Sequence, residues 1–153
     1  LHDFVAARRV YSVPDPDAAF DDRNVIDERG VPLNHLVERV GDTFVYTYDY
    51  GDDWQHDVLL EAILSPEPET VYPRCIAGAR NGPPEDIGGP YGYAHYLEAL
   101  ADPEHDEHED LLAWRGPFDP EKFSLERINA SLKRAFSRRP PAKRAAQANK
   151  PKS

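Results

Sequence analysis

The chain has 153 residues, 40% hydrophobic and 30% charged, with one cysteine and no methionine. That length gives one domain with a true core and excludes two comfortable ones. No stretch approaches the ~20 consecutive apolar residues of a membrane helix, no secretory h-region is visible, and the lone Cys75 excludes an internal disulfide, so a cytoplasmic location is expected.

The net charge of −10 is unevenly shared: all 28 Asp and Glu lie at or before residue 132, whereas eight of the 18 Lys and Arg lie after it. An acidic body of −18 therefore precedes a basic tail of +8. Because the sequence starts at Leu1 and lacks methionine, it is expected to begin inside a longer reading frame, with part of the fold missing.

Phe4, Val5, Val10 and Tyr11 mark a strand over Asp3 to Tyr11, followed by a Pro14-Asp-Pro-Asp17 loop and a polar, irregular stretch to Gly30. Leu33, Leu36, Val37 and Val40 fall at helical spacing and predict a short helix ended by Gly41. From Phe44 to Tyr50 aromatics occupy every second position, which in a strand puts Phe44, Tyr46, Tyr48 and Tyr50 on one face. Gly51-Asp52-Asp53 supplies turn chemistry, and Trp54 to Leu64 returns with Trp54, His56, Val58 and Leu60 on one side, giving an antiparallel hairpin.

Ser65 to Thr70 is a loop with two prolines, and Val71 to Ala77 reads as a short strand. Asn81 to Pro90 holds three Gly and three Pro in ten residues, a backbone with a shape to keep. A helix through Tyr93, Tyr96, Leu97 and Leu100 follows. A second starts at Asp102-Pro103, carries Leu111, Leu112 and Trp114, and stops at Gly116-Pro117. The last, with Ser124 as N-cap, spaces Leu125, Ile128, Leu132 and Phe136 by three and four. Residues 137–153 have no large apolar side chain and are expected to form a disordered basic tail to a domain over 1–136.

Several clusters admit a chemical and a plainer reading. Asp49, Asp52, Asp53 and His56 could gather around a divalent cation or act as an acid/base set, or could serve the turn and the hairpin. Trp54, on the face of His56, could shield the imidazole. Glu85 and Asp86, between Pro-Pro and Gly-Gly, could present two carboxylates on a stiff loop, or Asp86 could close an Asx-turn.

His105-Asp-Glu-His108 has two imidazoles three residues apart, but it is no His-Glu-x-x-His motif, and at a helix start a solvated acidic face explains it better. The aromatics of the hairpin could stack bases, yet the −18 body repels phosphate, and core packing explains them better. Lys133, Arg134, Arg138, Arg139, Lys143 and Arg144 could bind nucleic acid without sequence preference. Signatures of a nucleophile elbow or a phosphate-binding loop are missing.

Five ordered motifs, Tyr48-Asp-Tyr-Gly-Asp-Asp-Trp-Gln-His56, Tyr72-Pro-Arg-Cys75, Pro83-Pro-Glu-Asp-Ile-Gly-Gly89, Gly92-Tyr93 and Phe118-Asp-Pro-Glu-Lys-Phe123, resemble the plasmid pRiA4b ORF-3-like family. That family includes an insertion-element passenger labelled TnpR. The resemblance covers roughly residues 1 to 136. It implies an α+β fold with an antiparallel, partly open barrel-like sheet and flanking helices. It also implies that a strand and helices precede the Leu1-His2-Asp3-Phe4 segment. Some relatives carry cysteines around the Pro-Pro-Glu-Asp loop. Here Gly82 and Ile87 stand in those places, which weakens a thiolate zinc site.

The resulting expectation is an accessory, non-catalytic binding module of plasmid or mobile-element association, with no cofactor, no membrane and an unknown partner. Its candidate pocket is Asp52, Asp53, Trp54, His56, Glu85, Asp86 and Tyr93. The alternative is a metal-assisted hydrolase in which Asp52, His56 and Asp86 hold a divalent metal. The two readings part on whether those side chains converge.

Overall fold

The computed structural model describes residues 1–14 and 25–136. They divide into two compact units, the first made of Leu1–Ser65 and Gly82–Pro120, the second of Pro66–Asn81 and the chain from Glu121 onward.

The first unit is built on a five-stranded sheet of order β3-β2-β1-β4-β5. Its strands are β1 (His2–Ala6), β2 (Arg9–Ser12), β3 (Val25–Asp27), β4 (Thr43–Tyr48) and β5 (Trp54–Leu59). The expected single strand over Asp3 to Tyr11 is in fact a hairpin, with Ala6 opposite Arg9. Ala7 and Arg8 both take positive φ, at 47° and 64°. Two positive-φ residues define the tight turn whose twist suits a hairpin, a turn usually signalled by Asn-Gly and here made by residues that carry no such signal.

The stretch taken as irregular contains β3, which pairs with β2 in parallel. The sheet is therefore mixed, and it is open, without the closure of a barrel. The class is α+β, as expected.

The face shared by Phe4, Tyr11, Phe44, Tyr46 and Val58 is the core face. Ala6, Tyr11, Val37 and Phe44 are buried there, with Phe4, Ile26, Val31, Leu36, Tyr46, Val58 and Leu60 against them. Phe4 sits between Phe44 and Tyr46, with ring centroids 6.1 and 5.0 Å away. Offset and tilted aromatic pairs of this kind add about 0.5–1.5 kcal/mol each beyond the area they bury.

The helix expected over Pro32 to Val40 is a single 3-10 turn, Leu33–His35. The Asp42 carboxylate explains the rest, since it accepts the amides of Glu38 and Arg39, each at 2.9 Å. Those amides hold the carboxyl below its ordinary pKa. Val37 thereby reaches the core, while Leu33 and Val40 remain 62% and 61% exposed, so only part of the apolar spacing is used for burial.

Two helices complete this unit, α1 (Gly89–Ala101) and α2 (His108–Arg115). Tyr96 and Ala99 are the buried side of α1. The second helix starts later than Asp102-Pro103 suggested, because residues 102–107 form turns, and Gly116 ends it as expected.

The second unit contains α3 (Leu125–Phe136) and the segment before Asn81. Ser124 caps α3 through its Oγ, which accepts the Arg127 amide at 3.3 Å. The expected strand over Val71 to Ala77 is irregular chain, bent at Tyr72-Pro73, that bonds a side chain instead. Asn129 Oδ1 accepts the Cys75 amide at 2.8 Å, and Asn129 Nδ2 donates to the Cys75 carbonyl at 2.9 Å.

Candidate functional site

The turn between β4 and β5 begins two residues earlier than the aromatic spacing implied. Strand pairing ends at Tyr48 opposite Trp54, and Asp49 and Asp53 then take left-handed φ of 55° and 52°. Aspartate tolerates that region because its short carboxylate bonds nearby backbone. Asp49 Oδ1 accepts the Gly51 amide at 3.0 Å, and the Asp53 amide donates to the Asp49 carbonyl at 2.6 Å. Tyr50 consequently leaves the aromatic row, and its hydroxyl donates to the His2 carbonyl at 3.0 Å.

The Pro83–Gly89 loop is shaped by a comparable device. Asp86 has φ of 58°, and Gly88, at 86°, is the N-cap of α1 without any side-chain cap. Ile87 and Gly89 are buried while Glu85 and Asp86 are exposed. Pro90 begins α1, where its missing amide hydrogen loses nothing. A Cβ placed on Gly89 would run into the carbonyl oxygen of Asp52, so the loop backbone lies directly on the hairpin turn. The two motifs form one junction.

Side chains tie that junction further. The Tyr48 hydroxyl donates to Glu85 Oε2 at 3.2 Å. This bond to a carboxylate, and then the carboxylate's charge, raise the Tyr48 phenol above its ordinary pKa. The Glu85 carbonyl accepts from the guanidinium of Arg115, which also lies over the Trp114 ring at 4.2 Å. From Trp54 a chain of rings runs edge-to-face through Tyr93 (6.2 Å) and Phe118 (6.1 Å), and then by a tilted contact to Tyr96 (5.7 Å). Tyr96 is 1% exposed, and burial raises its phenol pKa.

Of the sequence-derived candidates, Glu85, Asp53 and His56 each engage a residue outside that set. Asp53 receives both contacts of the Gln55 amide at 3.2 Å. His56 is exposed, with Nδ1 3.2 Å from the carbonyl oxygen of Tyr46 and its ring 5.5 Å from the Tyr46 ring. Trp54 turns to Tyr93. Among the described residues, three His, Asp or Glu ligand atoms gather within 4.8 Å of one another at His95, His105 and Glu107. Asp52, His56 and Asp86 form no such group.

His108 takes no part in that cluster, since its Nδ1 lies 2.9 Å from the Ala99 carbonyl oxygen. Lys133 and Arg134 lie in the last turn of α3, and Arg138, Arg139, Lys143 and Arg144 fall outside the described residues.

Two participants escaped the sequence reading. Arg115 had a signal, being the one Lys or Arg between Arg80 and Lys122 in an otherwise acidic stretch. His95 had none, because ten residues and a helix end separate it from His105.

Comparison with known proteins agrees with this architecture. The profile of the family described as "Plasmid pRiA4b ORF-3-like protein" matches residues 1–127. The chain is 41% identical over 105 residues to "Uncharacterized protein y4hQ" of Sinorhizobium fredii, an alignment covering 68% of this chain and 53% of that protein. The chain therefore spans about half the length of this curated relative. It is also similar to the crystal structure of a protein of unknown function, MM3350 from Methanosarcina mazei. The TM-score is 0.70 at 36% identity, covering 83% of this chain and 71% of that one. Among the described residues, no helix is long and apolar enough to cross a membrane.

Proposed function

Since the chain belongs to the plasmid pRiA4b ORF-3-like family, we propose that it is a non-catalytic accessory module of plasmid or mobile-element context. Its hairpin turn and 83–89 loop make one recognition surface for a positively charged protein segment. The observation that carries this reading is the mutual engagement of the junction's polar groups. Tyr48 holds Glu85, Gln55 holds Asp53, Gly51 holds Asp49 and Tyr46 engages His56. These bonds fix the direction of each side chain while leaving the carboxylates further lone pairs for a partner, and a binding surface needs such fixed shape and charge.

The exposed carboxylates of Asp53, Glu85 and Asp86 lie in the same two motifs as the exposed ring of Tyr48, whose hydroxyl meets Glu85. Carboxylates beside aromatic faces suit guanidinium and ammonium groups, through charge-assisted hydrogen bonds and cation–π contact. The acidic body strengthens the attraction at long range. The test is fluorescence anisotropy of a labelled Arg- and Lys-rich peptide against the full chain. Binding should weaken as salt rises and fall by about tenfold or more in Glu85→Gln/Asp86→Asn. Equal affinity in that double variant would remove the junction from the proposal.

A metal-assisted hydrolase at the same junction has one observation in its favour, the contact between the Asp52 carbonyl and Gly89. It requires a stoichiometric metal that is lost in His56→Ala. Non-specific nucleic-acid binding through the basic residues from Lys133 onward is a separate, additional role. A chain ending at Phe136 should lose most such binding, because Arg138, Arg139, Lys143, Arg144, Lys150 and Lys152 lie beyond that point.

A further inference from the structure

We propose that His95, His105 and Glu107 bind one divalent first-row transition ion of the zinc type. The site uses none of the hairpin or loop residues and does not rest on the module reading. His95 stands on the exposed side of α1, next to the buried Tyr96. Beyond Ala101 the chain folds back through a series of short hydrogen-bonded turns. Asp102 Oδ1 accepts the Glu104 amide at 3.0 Å, the Asp102 carbonyl accepts the His105 amide at 3.0 Å, and the His105 carbonyl accepts the His108 amide at 3.0 Å. The result sets the His105 ring edge-on to that of His95, with centroids 5.4 Å apart at 68°, and brings the Glu107 carboxylate onto His95 Nε2.

One ligand atom from each of the three residues then lies within 4.8 Å of the other two. Metal-to-nitrogen and metal-to-oxygen bonds of about 2.0–2.2 Å at tetrahedral angles put ligand atoms about 3.4 Å apart. The remaining closure is well within side-chain rotation, since His95 and Glu107 are 52% and 56% exposed. Two neutral imidazoles and one carboxylate are the donor set of open zinc sites, in which solvent fills the fourth position. Imidazole selects this class of ion over magnesium or calcium, which prefer oxygen alone.

The surroundings favour a cation. Asp102, Glu104, Asp106, Glu107, Glu109 and Asp110 supply six carboxylates in nine residues. Binding an ion displaces the proton held between His95 Nε2 and Glu107. It also takes His105 away from the Glu107 amide, which His105 Nδ1 accepts at 3.1 Å in the ion-free state, or forces its other tautomer.

The plainer account is a His–Glu hydrogen bond on an acidic turn, and one experiment separates the two. The full chain, stripped with a chelator, is titrated calorimetrically with Zn²⁺ and followed by NMR of its six histidines. The expected result is one equivalent of Zn²⁺, with the His95 and His105 rings shifting together. Affinity should fall about tenfold or more in each of His95→Ala, His105→Ala and Glu107→Ala, and stay unchanged in His35→Ala. The wild-type titration alone overturns the proposal if no saturable uptake occurs or if the ring shifts fall on other histidines. Uptake undiminished in correctly folded His95→Ala and His105→Ala would overturn it too.

Discussion

Replacing Gly89 with alanine probes the contact that joins the hairpin to the loop, and two other glycines separate the energies involved. Gly89 has φ of +68° and its added Cβ would meet the Asp52 carbonyl, which is backbone and cannot swing aside. Gly41 has φ of +97° with nothing within 4 Å of its Cβ, and Gly82 has neither feature. Gly41→Ala therefore carries only the conformational term, about 1–2 kcal/mol for an L-residue in left-handed backbone. Because +97° lies further than +68° from the left-handed minimum near +57°, that value bounds the same term at Gly89 from above.

Gly89→Ala adds overpacking of about 1–3 kcal/mol, for a total loss of about 2–5 kcal/mol. Set against the ~5–15 kcal/mol of a typical domain, that is a large fraction. Gly82→Ala should stay within about 0.5 kcal/mol of wild type. Urea unfolding followed by tryptophan fluorescence reads all three, Trp54 being at the junction. Equal losses for Gly89→Ala and Gly41→Ala would show that the loop does not rest on the turn.

Three further outcomes are expected. Changing Ala7 and Arg8 to Asn-Gly gives the β1–β2 turn residues suited to its positive φ, and should raise stability by about 1 kcal/mol in the same urea assay. The Tyr48 phenol, raised by Glu85, has a folded pKa above its unfolded one. Its stabilising contribution is thus whole below pH about 10 and vanishes as pH climbs through the folded value. Tyrosinate absorbance should show two late-titrating tyrosines, Tyr48 and Tyr96, of which only the first moves earlier in Glu85→Gln. On the acid side, the Arg29 guanidinium bonded to Asp27 lowers that carboxyl to about 2, and Asp42 is lowered by the Glu38 and Arg39 amides. Depressed carboxyls stabilise above about pH 4 and lose that effect as pH falls toward 2. Asp27→Asn with Asp42→Asn should flatten the acid limb of the urea midpoint against pH.

What could be read from residues alone followed from how strongly each element repeats its own signal. The β4–β5 hairpin combined strict alternation with Gly-Asp-Asp, α1 showed helical spacing right after the Gly- and Pro-rich loop, and α3 combined spacing with Ser124, so all three stand near their expected places. Ala7-Arg8 turns without turn residues, and three-residue β3 is too short to show a period. The apolar spacing of 33–40 serves a turn fixed by the carboxylate of Asp42, which bonds back to the Glu38 and Arg39 amides and is not part of that spacing. Proximity of the two motifs was a question that sequence could pose but not answer. The partnership of His95 with His105 depends on how sharply residues 102–107 reverse, and spacing carries no record of that.

The bidentate grip of Asn129 on Cys75 has a consequence for biosynthesis. The two residues are 54 positions apart, and the second unit interrupts the first, taking Pro66–Asn81 early and Glu121 onward late. At a synthesis rate of about 5–20 residues per second, the Cys75 amide and carbonyl spend about 3–11 s in the growing chain before Asn129 is made. During that interval the sheet strands and α1 have already been translated. The second unit is accordingly assembled last, whatever the stability of its parts, and a nascent chain stalled before α3 would present segment 66–81 without the side chain that closes it.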